Sequence, residues 1–280
     1  MILSILFATF VLLIKRACGS TRTFDLKGRT ALVTGASGGI GSQQAKALAS
    51  AGADVILLGR NGEKLEKVKE EIQVECASTR SRTTVAAVVG DISDLTKLDT
   101  LLEKIFEASP TRRIDILCNT AGENPRIHAD ELTFESWDST LNLNLKVPFF
   151  LAQKLAPKMK QNGWGKIINV ASLQSERAFP NGLAYGASKG GVAQLTRAMA
   201  EAWSSYGISC NAIAPGFFET GLTASVFAQE ELQKKLAAQT CMGRNGRLED
   251  INGVTIFLAS RSSDYITGQV IYLDGGFVAK

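Results

Sequence analysis

The sequence predicts a doubly wound α/β fold, one parallel seven-stranded sheet with helices on both faces, and three observations carry that prediction. From about residue 28 onward, short apolar, β-branched runs alternate with longer amphipathic stretches. A glycine-rich turn closes the first of those runs and opens the first helix. Finally, 45% hydrophobic residues and 26 glycines in 280 suit a packed globular chain with many tight turns, and argue against disorder.

The candidate strands, in order, are "TALVT" (30–34), "DVILL" (54–58), "TVAAVV" (84–89), "IDILCN" (114–119), "KIINVA" (166–171), "ISCNAI" (208–213) and "QVIYL" (269–273). Between the second and third lies "EKLEKVKEEIQVE" (63–75), whose charges read as the solvated face of a helix. Long helical patterns cover about 134–162 and 183–206, and "LTASVFAQEELQKKLAAQT" (222–240) reads as a lid with an apolar face over a pocket. Strands that alternate with helices build right-handed βαβ units, so the sheet is parallel and covered on both sides. There is no internal repeat. Residues 23–280 read as one domain, and residues 1–22 as an apolar N-terminal anchor or targeting segment with its linker.

Composition excludes several functions. The net charge is +4 and the basic residues are scattered, without the clustered Lys, Arg and aromatic residues of a nucleic-acid surface. Five cysteines (18, 76, 118, 210 and 241) form no CxxC pair, and the chain has one histidine, His128, so neither a metal site nor a disulfide framework is expected. His128 reads as a loop residue near a substrate mouth.

The start is distinct. "ILSILFATFVLLI" (2–14) is uncharged and is followed by Lys15 and Arg16. As a helix those 13 residues rise about 20 Å, short of a hydrocarbon core of about 30 Å. Basic residues after the apolar run do not match a secretory signal, although "ACGS" (17–20) leaves cleavage open. The expectation is membrane association through residues 2–14 with the domain facing cytosol. A cleaved targeting peptide, leaving a cytoplasmic or organellar protein, is the alternative.

"TGASGGIG" (34–41) places Gly35, Ser37, Gly39, Ile40 and Gly41 between the first strand and the first helix. Glycines there let the backbone approach a pyrophosphate at a helix N-terminus, as in a Rossmann-type dinucleotide fold. The second strand ends in Gly59 and Arg60 with no carboxylate until Glu63. A carboxylate would repel a 2′-phosphate and a guanidinium would bind it, so NADP is expected over NAD, and NADPH over NADH. Arg60 as a surface residue at the turn is the alternative. After the third strand, Asp91 reads either as an acceptor for an adenine amino group, with Ile92 beside the ring, or as a helix N-cap. Asn119, Ala121 and Gly122, in "NTAG", end the fourth strand, where small residues would let backbone lie beside a nicotinamide. A plain turn would use the same residues.

"YGASK" sets Tyr185 and Lys189 at i and i+4, on one helix face, with Ser172 thirteen residues before Tyr185 at the end of a strand. A neighbouring ammonium and an oxidised nicotinamide would lower the phenol's pKa toward the working range, and Ser172 would donate to a substrate oxygen. After the sixth strand, Pro215, Gly216 and Thr220, in "NAIAPGFFET", would bend over the nicotinamide and contact its amide or the phosphates.

With "WDSTLNLNLK" and "DYITGQVIYLDGG", these motifs resemble the short-chain dehydrogenase/reductase family over residues 24–278. The nearest similarity is to its gluconate 5-dehydrogenase-like and 3-oxoacyl-[acyl-carrier-protein] reductase-like members. Thr120 stands where the family has a second asparagine. Gly59 stands where gluconate 5-dehydrogenase-like members commonly carry an aspartate. The resemblance implies hydride exchange between a nicotinamide cofactor and a secondary alcohol or ketone, with Ser172, Tyr185 and Lys189 catalytic. It also implies a homo-tetramer, and a fourth catalytic residue, Asn144, that holds a kinked helix and a water linked to Lys189. Asn142 competes for that role. The expected substrate is a small-molecule ketone or alcohol: a keto-sugar acid, a 3-oxoacyl thioester or a lipid ketone. A catalytically silent nucleotide-binding scaffold is the alternative from a different class.

Overall fold

The computed structural model describes residues 23–78 and 83–280. Seven strands form one parallel sheet in the order β3-β2-β1-β4-β5-β6-β7. They are β1 (Thr30–Thr34), β2 (Asp54–Gly59), β3 (Val85–Val89), β4 (Ile116–Asn119), β5 (Gly165–Val170), β6 (Ile208–Pro215) and β7 (Val270–Leu273). Each expected strand is present, with ends that move by two residues or fewer. β6 runs on to Pro215 because β7 continues beside it, pairing Leu273 with Pro215.

Side-chain alternation divides the core in two. Leu32, Ile56, Leu58 and Leu117 face one side, and Ala31, Val33, Val55, Leu57 and Ile116 face the other. The first side is covered by α3 (Leu98–Ala108), α5 (Val147–Asn162) and α6 (Leu183–Trp203), the second by α1 (Gly39–Ser50), α2 (Gly62–Ser78) and α9 (Asp250–Ala259). A strand buried on both faces has no polar side to spend, hence its nearly continuous apolar sequence. The order places β1 next to β4, so the chain leaves the sheet in opposite directions there. In such sheets the crevice outside the carboxyl ends of the strands at that point takes the ligand.

The long helical pattern at 134–162 is interrupted. α4 (Phe134–Leu141) passes into a π-helical turn at Asn142–Lys146 before α5 begins. Pro148 lies in the first turn of α5 and has no N–H to continue an α-helical ladder, and the Val147 N–H reaches back to the Asn142 carbonyl instead. That widening is the expected kink, and it turns Asn144 inward to 1% exposure.

The lid segment forms a 3₁₀ turn (Gly221–Thr223), a short α7 (Ala224–Phe227) and α8 (Glu230–Gln239). Its apolar Val226 and Leu236 pack on Leu173 and Phe277, with Phe179 and Phe217 alongside. Its apolar side therefore sits mostly one layer behind the pocket wall. The apolar run 2–14 and its basic flank lie outside the described residues. Among the described residues no helix is long and apolar enough to cross a membrane, and no group of His, Cys, Asp and Glu is arranged to hold a metal.

Candidate active site

The carboxyl ends of the strands open into a cleft of about 520 Å³. The turn after β1 forms its floor. Gly39 has φ 56°, a left-handed conformation that glycine adopts without strain. A Cβ on Gly41 would stand 2.4 Å from the Gly35 carbonyl oxygen, so only glycine lets α1 start this close to the turn. The helix begins at Gly39, its N-cap Gly38 offers no side-chain cap, and its first turn has no acidic residue. Its leading N–H groups and positive dipole end are thus left for an anion.

Beyond the turn, Arg60, Asn61 and Lys64 line the same cleft. A side chain at position 59 would press on Leu65 at 3.3 Å, where the dinucleotide fold would otherwise carry an acid. Lys64 has a signal in the sequence of its own: a second basic residue four positions after Arg60, in the first turn of a helix. Asp91 lines the cleft and also accepts from Ser93 N at 2.9 Å and Ser93 Oγ at 2.7 Å. Those hydrogen bonds first, and the Arg60 charge further down, hold its carboxyl below the usual range. Asp91 therefore closes a turn and is not a helix N-cap, a role that Asp94 takes by accepting from Thr96 N, while the place of Asp91 in the cleft wall keeps the adenine-acceptor reading. Ile92, Ala121, Gly122, Pro215, Gly216 and Thr220 also form walls. Thr220 faces Gly39, whose added Cβ would lie 3.1 Å from it.

Asn119 is a correction. Its Nδ2 donates to Asn169 Oδ1 at 2.9 Å and to the Pro148 carbonyl at 3.3 Å, and it is buried away from the cleft wall. It ties β4 to β5 and to the start of α5. A residue that ends a strand points to one face or the other, and here the period of two turns it inward. The neighbouring backbone is held instead by Thr34, whose Oγ1 accepts from the N–H groups of Thr120 and Ala121 at 2.9 and 3.0 Å.

Ser172, Tyr185 and Lys189 line the cleft together. Ser172 follows β5, and its Oγ accepts from Gln174 N at 3.1 Å, which leaves its own proton free to donate. Lys189 is buried, donates to the Val170 carbonyl at 2.7 Å and lies 5.6 Å from the Tyr185 ring centre. Burial pulls its pKa down to about 8. The phenol differs from expectation. Burial pushes Tyr185 up, and the Ser172 hydroxyl and the Arg126 guanidinium only partly offset this. The protonated phenol is thus the form that the protein alone favours.

Asn144 stands behind Gly122. Its Oδ1 accepts from Glu123 N at 2.9 Å, and its Nδ2 donates to the Glu123 carbonyl at 2.9 Å and to Ser188 Oγ at 3.1 Å. It clamps the segment after β4 to α6, a residue away from Lys189. Asn142 turns elsewhere and donates to the Ser93 carbonyl at 2.9 Å.

Three cleft residues carried no sequence signal. Asn124 and Arg126 belong to the loop after β4, and Gln174 to the turn after β5. Arg126 is a non-glycine residue at φ 54°, and its Nε is buried without a partner. His128 is exposed, lies outside the cleft wall and pairs at 3.4 Å with Asp130.

These features define a dinucleotide-dependent oxidoreductase site at the switch point of a parallel sheet. The family model described as Enoyl-(Acyl carrier protein) reductase matches residues 35–278. Gluconate 5-dehydrogenase of Gluconobacter oxydans is 39% identical over 90% of this chain and 96% of its own length. 2-Dehydro-3-deoxy-D-gluconate 5-dehydrogenase of Bacillus subtilis is 39% identical over 92% of this chain and 97% of its own. The crystal structure of a gluconate 5-dehydrogenase from Burkholderia cenocepacia, in complex with NADP and tartrate, superposes with a TM-score of 0.85. It is 36% identical over 93% of this chain and 99% of that one.

The chain belongs to the short-chain dehydrogenase/reductase family, enzymes that act on alcohol and ketone groups. The membrane-associated placement expected from residues 2–14 is corrected accordingly. About nine-tenths of this chain matches such dehydrogenases over 96–97% of their own length.

The depressed pKa of Lys189 makes a stability prediction. A lysine whose folded pKa lies below its unfolded value costs stability while both states are protonated. That cost is relieved as pH rises from about 8 toward the unfolded value. Lys189→Met should therefore stabilise the cofactor-free protein by about 1–3 kcal/mol near pH 7. The gain should shrink toward pH 10, read by urea unfolding at both pH values; an equal effect at both would refute the argument.

Proposed function

We propose that the protein is an NADP-dependent oxidoreductase that interconverts a secondary alcohol and a ketone on a hydroxylated carboxylic acid of the sugar-acid class. One observation carries the substrate class. Arg126 lines the cleft close enough to Tyr185 to bias its phenol, and its buried Nε has no partner. A buried guanidinium nitrogen left unpaired is costly, and a substrate carboxylate would satisfy it with charge-assisted hydrogen bonds. A positive-φ arginine in a loop beside the reacting groups is the kind of local strain that persists at binding sites. A lipid ketone would leave that charge unanswered. The names of the relatives in gluconate metabolism support the same class.

The cofactor, when bound, supplies or accepts the hydride. The glycine turn and the start of α1 would hold its phosphates, and Arg60 with Lys64 would hold a 2′-phosphate, Gly59 standing where an acid would repel it. Ser172 donates to the substrate oxygen, and the Tyr185 phenol, kept protonated by burial, gives its proton to that oxygen during ketone reduction. Lys189 keeps further N–H groups free beyond the one on Val170, and it stabilises the phenolate that remains. Asn144 acts as a positioning residue, holding the Gly122–Glu123 backbone and Ser188 in register with Lys189. The complete constellation argues against a silent scaffold.

Two variants separate binding from chemistry. Arg60→Ala should weaken NADPH by about 1.5–3 kcal/mol while sparing NADH. Tyr185→Phe should abolish turnover yet bind NADPH nearly as the wild type does. Fluorescence titration and steady-state assays read both, and equal wild-type affinity for NADPH and NADH would sink the cofactor reading.

The substrate class is tested by NADPH oxidation against keto-sugar acids, 3-oxoacyl thioesters and neutral ketones. Keto acids should be preferred, and Arg126→Ala should raise their KM by roughly 10–100-fold without changing that of neutral ketones. A preference for thioesters would overturn the class.

We also propose a homo-tetramer, supported by exposed Phe134 and Trp137 on α4 and Leu183 at the start of α6. Light scattering at micromolar concentration should give four times the chain mass, and a monomer would refute it.

A further inference from the structure

Gln174 lies two residues past Ser172 and lines the cleft together with Ser172 and Tyr185. Its backbone N–H is the donor to Ser172 Oγ, so its position is tied to that of the serine. The side chain is in a different situation. Its Oε1 is buried and receives no hydrogen bond, and of the eight such side-chain atoms among the described residues only it and Arg126 Nε belong to residues that line the cleft.

The fold makes room for this amide. Gly182 and Gly186, at the start of α6, face it: a Cβ on Gly182 would stand 2.2 Å from Gln174 Oε1, and one on Gly186 3.6 Å away. Gly182 has φ −128°, which any residue adopts. What position 182 requires is therefore the missing side chain and not glycine's conformational freedom. The terminal torsion of a glutamine is soft and roughly two-fold, so the amide turns toward a ligand at little cost.

We infer that Gln174 is a specificity-determining residue whose side-chain carbonyl accepts a hydrogen bond from a substrate hydroxyl next to the reacting carbon. The inference rests on the sugar-acid reading above and deepens it. Ser172 and Tyr185 hold the reacting oxygen, Arg126 answers the carboxylate, and Gln174 reads a hydroxyl in between. A substrate without that hydroxyl leaves a buried acceptor unpaired, and sites built on such contacts discriminate strongly against the deoxy analogue.

The test is calorimetric titration of the full-length, NADPH-loaded protein, in which an alcohol binds without turning over. D-gluconate is compared with hexanoate, the carboxylate of the same carbon number without hydroxyls. The wild type should bind D-gluconate at least about tenfold more tightly than hexanoate. Gln174→Leu, which keeps the volume and removes the acceptor, should lose about tenfold on D-gluconate and nothing on hexanoate. Gly182→Ala, which displaces the amide and removes no polar group, should shift D-gluconate in the same direction.

Unchanged D-gluconate binding in Gln174→Leu, an equal loss on both ligands, or a wild type that does not distinguish them would each overturn the inference. Failure of the carboxylate reading looks different. Arg126→Ala would then bind both ligands as the wild type does, while a D-gluconate-selective loss in Gln174→Leu still supports the hydroxyl contact.

Discussion

The hydrogen bond from Lys189 Nζ to the Val170 carbonyl, at 2.7 Å, joins the last residue of β5 to the second turn of α6. Much of the site depends on it. Ser172 follows β5 by two residues and Tyr185 lies one turn before Lys189, so one buried contact sets the distance between a strand end and a helix face. The ammonium occupies an interior that pulls its pKa down to about 8, a cost accepted where charge is needed. Asn144 supports the same helix from the other side through Ser188, and the π turn lets it reach inward.

Burial also bears on how acid–base work would be divided between protein and cofactor in the proposed reaction. The apolar surroundings favour a neutral phenol, suited to giving a proton to a ketone. The reverse reaction needs phenolate, which a positively charged nicotinamide would favour. Spacing alone suggested a tyrosine lowered by its lysine, because helix geometry brings the pair together. It did not include the desolvation of both groups, which opposes their charged forms.

The polar residues proposed to read the substrate come from loops rather than from the sheet. The strands deliver small residues to the cofactor side of the cleft, and the segments after β4 and β5 deliver Arg126 and Gln174. The aromatic cluster of Phe179, Phe217 and Phe277 backs this region, with ring centres 5.9–6.5 Å apart. It connects the C-terminal segment to α7 and α8 and backs the cleft wall at Leu173. A rigid sheet with variable loops at its carboxyl edge is how one family serves many substrates.

The sequence by itself determined the sheet, its parallel sense and the cofactor turn, because those follow from local periodicity and from backbone conformations that only certain residues permit. Seven apolar runs, a glycine-rich turn between a strand and a helix, and a Tyr–Lys pair at one-turn spacing are local facts. Only the tertiary structure decided which polar residues face the cleft. Asn119, at a strand end, turns inward to Asn169. Asn142 reaches Ser93, while Asn144 reaches Glu123 and Ser188. Arg126 and Gln174 acquire their positions from packing across separate loops, which no local pattern encodes. Whether a polar side chain is satisfied or left waiting for a ligand is a sum over neighbours distant in sequence, and that sum exists only once the chain is folded.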